Sequence, residues 1–203
     1  MKTHTKISQE NLTAQLAHQI LVEGNERFVQ NVKTQRNLKD QVVATSEGQY
    51  PFAVILSCID SRVPTELVFD QGIGDIFSVR VAGNIVNEDV LGSMEYACKV
   101  AGSKIVVVMG HTKCGAVTAA CNHVELGNIT ALLQKIQPAV KVIEADISEM
   151  NDESIEKVSK LNVELSIDRI RKESEILAEL ENEGSIEIVG AIYDVSTGNV
   201  EFC

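Results

Sequence analysis

The chain has 203 residues, of which 44% are hydrophobic, and its formal net charge is -11 with an isoelectric point near 4.8. This length and hydrophobic fraction are sufficient for one domain with a buried core and argue against disorder. The acidic balance argues against nucleic acid and anionic membranes as partners, because both would require a basic face.

The N-terminal part of the chain predicts a helical arm. Between residues 9 and 30 apolar residues recur at helical spacing, and we expect a break near Gly24. Residues 31–49 are polar and aperiodic, which is typical of a connecting loop. We therefore expect a single domain over residues 1–203, with an arm and loop in residues 1–49 and a core in residues 50–203.

Apolar runs and helical segments alternate through this core. Four apolar runs predict β-strands at residues 52–56, 76–81, 105–109 and 186–193. Helices are expected between them, including one capped by Asn87 and charged helices between Gly127 and Gly184. A turn at 196–199 precedes a short strand at 200–202. This order predicts an α/β fold: a central, mostly parallel β-sheet flanked by helices, with an N-terminal helical arm and an antiparallel C-terminal edge strand.

The five cysteines are an odd number and lack the spacing of a disulfide framework. The chain shows no apolar leader segment and no apolar run long enough to span a bilayer, so we expect a cytoplasmic protein. In a reducing compartment, cysteines are more often metal ligands, nucleophiles or core residues than disulfides. Cys98 and Cys121 fall within apolar helical patterns and are expected to be small buried residues.

Two predicted strand ends carry residues suited to metal chemistry. Cys58, Asp60 and Arg62 follow the first strand of the core, and His111 and Cys114 follow the third. Ligands bind at the carboxyl ends of parallel strands, so these residues are able to converge on one site. Thiolate and imidazole are preferred zinc ligands, and catalytic zinc sites keep three protein ligands and one open position. We therefore predict one Zn²⁺ per chain, with Cys58, His111 and Cys114 as ligands.

Asp60 and Arg62 are the candidate catalytic pair. Their alternation with Cys58 points the three side chains in similar directions, so the carboxylate is expected beside the metal with the guanidinium holding it. The alternative for this pair alone is an ordinary loop salt bridge, with Asp60 capping the next helix.

The chain resembles the β-class carbonic anhydrases over nearly its whole length. The resemblance is carried by Cys58-Ile59-Asp60-Ser61-Arg62, Arg80-Val81-Ala82-Gly83-Asn84 and Gly110-His111-Thr112-Lys113-Cys114-Gly115. It extends from Gly24-Asn25-Glu26-Arg27-Phe28 in the arm to Gly190-Ala191-Ile192-Tyr193-Asp194 near the end. It implies the reversible hydration of carbon dioxide to bicarbonate and a proton, by attack of a zinc-bound hydroxide on carbon dioxide.

The resemblance also implies roles for further residues. Gln49, Phe77 and Tyr96 would bind substrate, although a polar loop residue, a core strand residue and a core helix residue are equally simple interpretations. The family resemblance implies a homodimer or homotetramer. Some members rest with the aspartate of the pair on the zinc, and those with a noncovalent bicarbonate inhibition site use a tryptophan in it. This chain has no Trp, so we expect Asp60 to stay with Arg62.

Two other functions fit the same ligands. One is hydrolysis of carbon disulfide or carbonyl sulfide on the same scaffold. The other is a non-catalytic zinc or thiol redox sensor, against which the Asp60 and Arg62 pair argues. His123 or buffer are the candidate proton acceptors, with an exposed surface role the simpler interpretation for His123.

Overall fold

The computed structural model describes residues 3–203. The α-helices are α1 Lys6–Glu10, α2 Ala14–Val29, α3 Leu38–Ala44, α4 Thr65–Val68, α5 Glu88–Glu95, α6 Gly115–Cys121, α7 Gly127–Leu133, α8 Gln137–Glu144, α9 Asp152–Glu173 and α10 Glu175–Asn182. The strands are β1 Ala53–Ser57, β2 Ile76–Arg80, β3 Ile105–His111, β4 Glu187–Tyr193 and β5 Val200–Phe202. They form one sheet in the order β2-β1-β3-β4-β5, in which the first four strands are parallel and β5 is antiparallel to β4. The predicted α/β fold class is confirmed.

Helices cover both faces of this sheet. Alternate residues of β1 and β3 point to opposite faces. One face packs against α5, α9 and α10 through the buried residues Val54, Leu56, Val106, Val108, Met94, Ile170 and Leu177. The other face packs against α2 and α4 through Ala53, Ile55, Val107, Met109, Ala17, Leu21 and Val68. Because both faces are buried, these strands read as continuous apolar runs rather than as alternating patterns.

The helical arm differs from the prediction in two places. The break between its helices lies before Thr13, whose side chain accepts a hydrogen bond from the N–H of Leu16 and caps α2. Gly24 lies inside α2, where an added Cβ would come within 1.9 Å of the Phe69 carbonyl oxygen. This glycine therefore permits a close approach between helix and core and does not break the helix.

The predicted loop at residues 31–49 contains helix α3, so this part of the prediction was wrong. Asn37 caps the helix by accepting hydrogen bonds from the N–H groups of Lys39 and Asp40. The helix buries Gln41, while its apolar residues Val42 and Val43 are exposed. No apolar stripe marks this helix in the sequence, because its inward-facing residue is polar.

Buried polar contacts fasten the arm to the core. The side-chain amide of Asn25 donates to the carbonyls of Val68 (3.1 Å) and Gly198 (2.9 Å), and its oxygen accepts from the N–H of Val200 (2.8 Å). Asp70 accepts hydrogen bonds from Arg27, Arg36 and Thr34. The arm is thus held both at the end of α4 and at the turn before β5.

The later boundaries also bear on the site. His111 is the last residue of β3 and does not lie in the loop after the strand, and α6 starts at Gly115. In the part of the chain from residue 3 onward, none of the helices combines the length and the apolar character needed to cross a bilayer.

Candidate metal centre

Three buried side chains meet at the carboxyl end of the sheet. Cys58 follows β1, His111 ends β3, and Cys114 occupies the N-cap position of α6. One ligand atom from each lies within 4.8 Å of the other two, and the two sulfur atoms are 4.0 Å apart. Because β1 and β3 are neighbouring parallel strands, their ends bring residues 53 positions apart in sequence to one point.

The donor set fits a zinc ion. The Nδ1–H of His111 donates to the Thr112 carbonyl (2.9 Å), so in the neutral imidazole the lone pair is on Nε2. Nε2 is buried and has no hydrogen-bond partner among residues 3–203. A buried acceptor without a partner is costly, and a metal ion would remove that cost. Two thiolates and one imidazole leave the open fourth position that catalytic zinc sites keep.

The two thiols influence each other strongly. A hydrogen bond from the Cys114 thiol lowers the pKa of Cys58, and the hydrogen bond from the Gly83 N–H lowers it further, against the effect of burial. The same interaction, with burial, raises the pKa of Cys114. A thiolate at Cys58 is therefore already available as a metal ligand.

Asp60 is held by Arg62 beside this cluster. Its Oδ1 accepts from Nε and from the backbone N–H of Arg62, both at 2.9 Å, and its Oδ2 accepts from Nη2 at 2.7 Å. These hydrogen bonds from Arg62 lower the pKa of Asp60 to about 2, so the carboxylate is ionised at neutral pH. Oδ2 lies 4.0 Å from Nε2 of His111. The carboxylate thus lies next to the Cys58, His111 and Cys114 cluster while hydrogen-bonded to the guanidinium.

Neighbouring residues fix the loop that carries Cys58 and Asp60. Arg80 donates to the Cys58 carbonyl (3.0 Å) and to the Asp60 carbonyl (2.6 Å). The N–H of Gly83 donates to the Cys58 sulfur at 3.4 Å, and the Gly83 carbonyl accepts from the buried Asn162 at 3.0 Å. Arg80 and Gly83 belong to a motif that carries the family resemblance, but these contacts were not predicted. Asn162 had no sequence signal, because it lies within a charged helix.

The three predicted substrate-binding residues do not join this cluster within one chain. Phe77 lies on β2 opposite Val54, about 13 Å back along the strand direction from Cys58. Its ring packs edge-on against Tyr96 with centroids 6.4 Å apart, and both line a groove beside α5. Gln49 is exposed in an adjoining groove that also contains Tyr96.

His123 pairs with a glutamate near the surface and not with the Cys58, His111 and Cys114 cluster. Its Nε2 is 2.9 Å from a Glu144 oxygen, and 61% of its side chain is exposed. This surface pairing agrees with the simpler interpretation of His123.

Comparisons with known proteins agree with this geometry. The family model for carbonic anhydrase matches residues 53–200. Carbonic anhydrase 2 of Mycobacterium tuberculosis is 36% identical over 188 residues, covering 90% of this chain and 89% of that protein. A carbonic anhydrase of Mycolicibacterium smegmatis is 32% identical over 193 residues, covering 91% of each. The crystal structure of the β-carbonic anhydrase CafA of Aspergillus fumigatus superposes with a TM-score of 0.75 at 26% identity, covering 94% of this chain and 89% of that one. The chain belongs to the β-carbonic anhydrases.

Proposed function

We propose that this carbonic anhydrase hydrates carbon dioxide reversibly with one zinc ion held by Cys58, His111 and Cys114. Family membership supports the reaction. The observation that supports the ligand set is Nε2 of His111, which is buried and has no hydrogen-bond partner in residues 3–203, in a cluster whose ligand atoms lie within 4.8 Å of one another.

The chemistry needs a nucleophile and a means of aiming it. When bound, zinc would lower the pKa of a water ligand to about 7, far below that of free water, and so would supply hydroxide near neutral pH. Asp60 remains an acceptor because the Arg62 hydrogen bonds keep its carboxylate ionised. Oδ1 already accepts two hydrogen bonds, whereas Oδ2 accepts one from Arg62 and so retains acceptor capacity. We assign Asp60 to accept the hydrogen of the attacking oxygen, which orients that oxygen's lone pair toward the carbon.

Arg62 holds the Asp60 carboxylate in position in this mechanism. Its fork engages both carboxylate oxygens, which fixes the plane of the carboxylate as well as its distance. A third contact, from Nη2 to the Lys113 carbonyl at 3.2 Å, ties the guanidinium to the loop that carries His111 and Cys114. Arg62 and Asp60 are therefore fixed relative to the loop that carries His111 and Cys114, and not only relative to each other.

We further propose a homo-oligomer in which Gln49, Phe77 and Tyr96 serve the site of a second copy. The separation of Phe77 from its own chain's ligands supports this arrangement. So does the exposure of Tyr96, 54% of which is accessible in the single chain. β2 is an edge strand, and its unpaired backbone groups are suited to contact another chain. Dimer and tetramer both satisfy this proposal.

Stopped-flow hydration of carbon dioxide with a pH indicator, run beside zinc analysis, tests the function. We expect about one zinc per chain and catalysis in the natural protein. Cys58→Ala should lose both, whereas Asp60→Asn should keep the metal and lose most of the activity. Zinc without hydration between about pH 6 and 9 would refute the proposal, and assays with carbonyl sulfide and carbon disulfide would then test the alternative substrates.

A further inference from the structure

The short loop between β3 and α6 is fixed at both ends. The N–H of Thr112 donates to the Tyr193 carbonyl (3.0 Å), and the Thr112 hydroxyl accepts from the N–H of Val195 (3.1 Å). At the other end the Cys114 carbonyl accepts from the Thr118 hydroxyl (3.0 Å). These contacts hold Thr112 and Cys114 in place, and Lys113 lies between these two residues.

Lys113 adopts an unfavourable backbone conformation. Its φ of +55° lies in the left-handed region, which residues with a Cβ rarely adopt. Such a conformation persists where surrounding contacts impose it. The backbone N–H of Lys113 is held by α9, because it donates to Oε1 of Glu156 at 2.8 Å.

The other backbone group of Lys113 faces the catalytic pair. Its carbonyl accepts the 3.2 Å hydrogen bond from Nη2 of Arg62, the same nitrogen that bonds Oδ2 of Asp60 at 2.7 Å. A rotation of the Lys113 backbone toward a relaxed conformation would turn this carbonyl away. Arg62 would then lose one of the two acceptors that hold Nη2.

We propose that Glu156 is a positioning residue for the hydration reaction. It holds Lys113 in the left-handed conformation, which aims the Lys113 carbonyl at Arg62 and thereby keeps Asp60 aligned beside the metal ligands. This inference rests on the proposed function, because it assigns Glu156 a role through Asp60. The role requires a hydrogen-bond acceptor at Oε1 and does not require the negative charge.

Substitutions separate the acceptor from the charge. Glu156→Gln retains an acceptor oxygen, and Glu156→Ala removes it. Glu153 is the matched control, since it lies nearly one turn earlier on α9, is 78% exposed and pairs with Lys157 at 2.7 Å. We expect kcat/KM for carbon dioxide to fall about tenfold in Glu156→Ala, the effect of losing one hydrogen bond. Glu156→Gln and Glu153→Ala should stay within about twofold of the natural protein, and zinc content should be unchanged in all three.

A second readout follows the hydrogen bond without using activity. Amide hydrogen exchange measured by NMR should show faster exchange of the Lys113 N–H in Glu156→Ala, with little change in Glu156→Gln or Glu153→Ala. Faster exchange together with reduced kcat/KM, both restored by glutamine, is the expected result.

Four results would overturn the inference. A kcat/KM in Glu156→Gln as low as in Glu156→Ala would show that charge is required. A fall in kcat alone, restored by added buffer, would assign Glu156 to proton transfer. An active natural protein with unaffected Glu156→Ala would refute the positioning role alone, whereas an inactive natural protein would refute the proposed function and this inference with it.

Discussion

Replacing Asp70 by asparagine should destabilise the protein by about 3 kcal/mol. Asp70 is 5% exposed and accepts hydrogen bonds from Arg27 (2.7 Å), Arg36 (2.6 Å) and the Thr34 hydroxyl (2.6 Å). Asparagine has nearly the same shape and tolerates the φ of +46°, so the change removes the negative charge and one acceptor oxygen without a change in size. Removing one partner of a buried ion pair costs about 3–5 kcal/mol. The low end applies because the Arg27 side chain is 30% exposed and is able to turn to water.

Urea unfolding at a fixed protein concentration measures this difference. In thermal unfolding of a chain of this size, a loss of about 3 kcal/mol in the free energy of unfolding corresponds to a fall of roughly 9 °C in Tm. Glu144→Gln, at the exposed pair with His123, is the control and should change stability by less than about 1 kcal/mol. A loss below about 1 kcal/mol in Asp70→Asn would refute the reasoning.

The pH dependence of the same variant gives an independent check. Burial alone would raise the pKa of Asp70, but hydrogen bonds from Arg27, Thr34 and Arg36 lower it to about 2. A carboxyl whose folded pKa lies below its unfolded value stabilises the protein above the unfolded value, near 3.9. That contribution is lost as pH falls toward 2. The difference between the natural protein and Asp70→Asn should therefore be constant above about pH 5 and shrink in acid.

Three further predictions concern the arm and the metal centre. Gly24→Ala should cost about 3 kcal/mol or more in thermal unfolding, because the new Cβ would lie 1.9 Å from the Phe69 carbonyl oxygen; a neutral result would contradict this close approach. Removing the metal with a chelator should abolish activity and lower Tm, and added Zn²⁺ should restore both; an unchanged Tm would count against Cys58, His111 and Cys114 as ligands. Arg62→Lys should retain zinc but lower kcat/KM about tenfold, because an ammonium cannot reproduce the fork on Asp60, and full activity in this variant would remove Arg62 from the mechanism.

The sheet and the ligand cluster were accessible to sequence reasoning for a physical reason. Strands buried on both faces leave continuous apolar runs, and the residues that follow those runs lie at the same edge of a parallel sheet. Cys58 and His111 are therefore identified together by strand position. The arm was harder to predict for two reasons. Gly24 allows α2 to approach the Phe69 backbone closely and does not end the helix, and α3 buries a polar residue, Gln41.

The residues that support the site could not be recognised in the same way. Asn162 and Glu156 lie on α9, a long charged helix whose polar residues mostly face solvent. Their contacts reach Gly83 and Lys113, which are 79 and 43 positions away in sequence. Neither periodicity nor spacing distinguishes a glutamate that bonds a distant N–H from one that is simply solvated. The substrate-binding roles of Gln49, Phe77 and Tyr96 stay predictions.

The contacts of Asn25 have a consequence for how the chain folds during synthesis. Its partners Gly198 and Val200 lie 173 and 175 positions later, so the ribosome makes α2 long before it makes the turn and strand that α2 must meet. Contacts of such long sequence separation form late and slow folding. The apolar face of α2 is therefore able to pack on β1 and β3 before β5 exists, whereas the polar contacts of Asn25 form only after the turn and β5 have emerged.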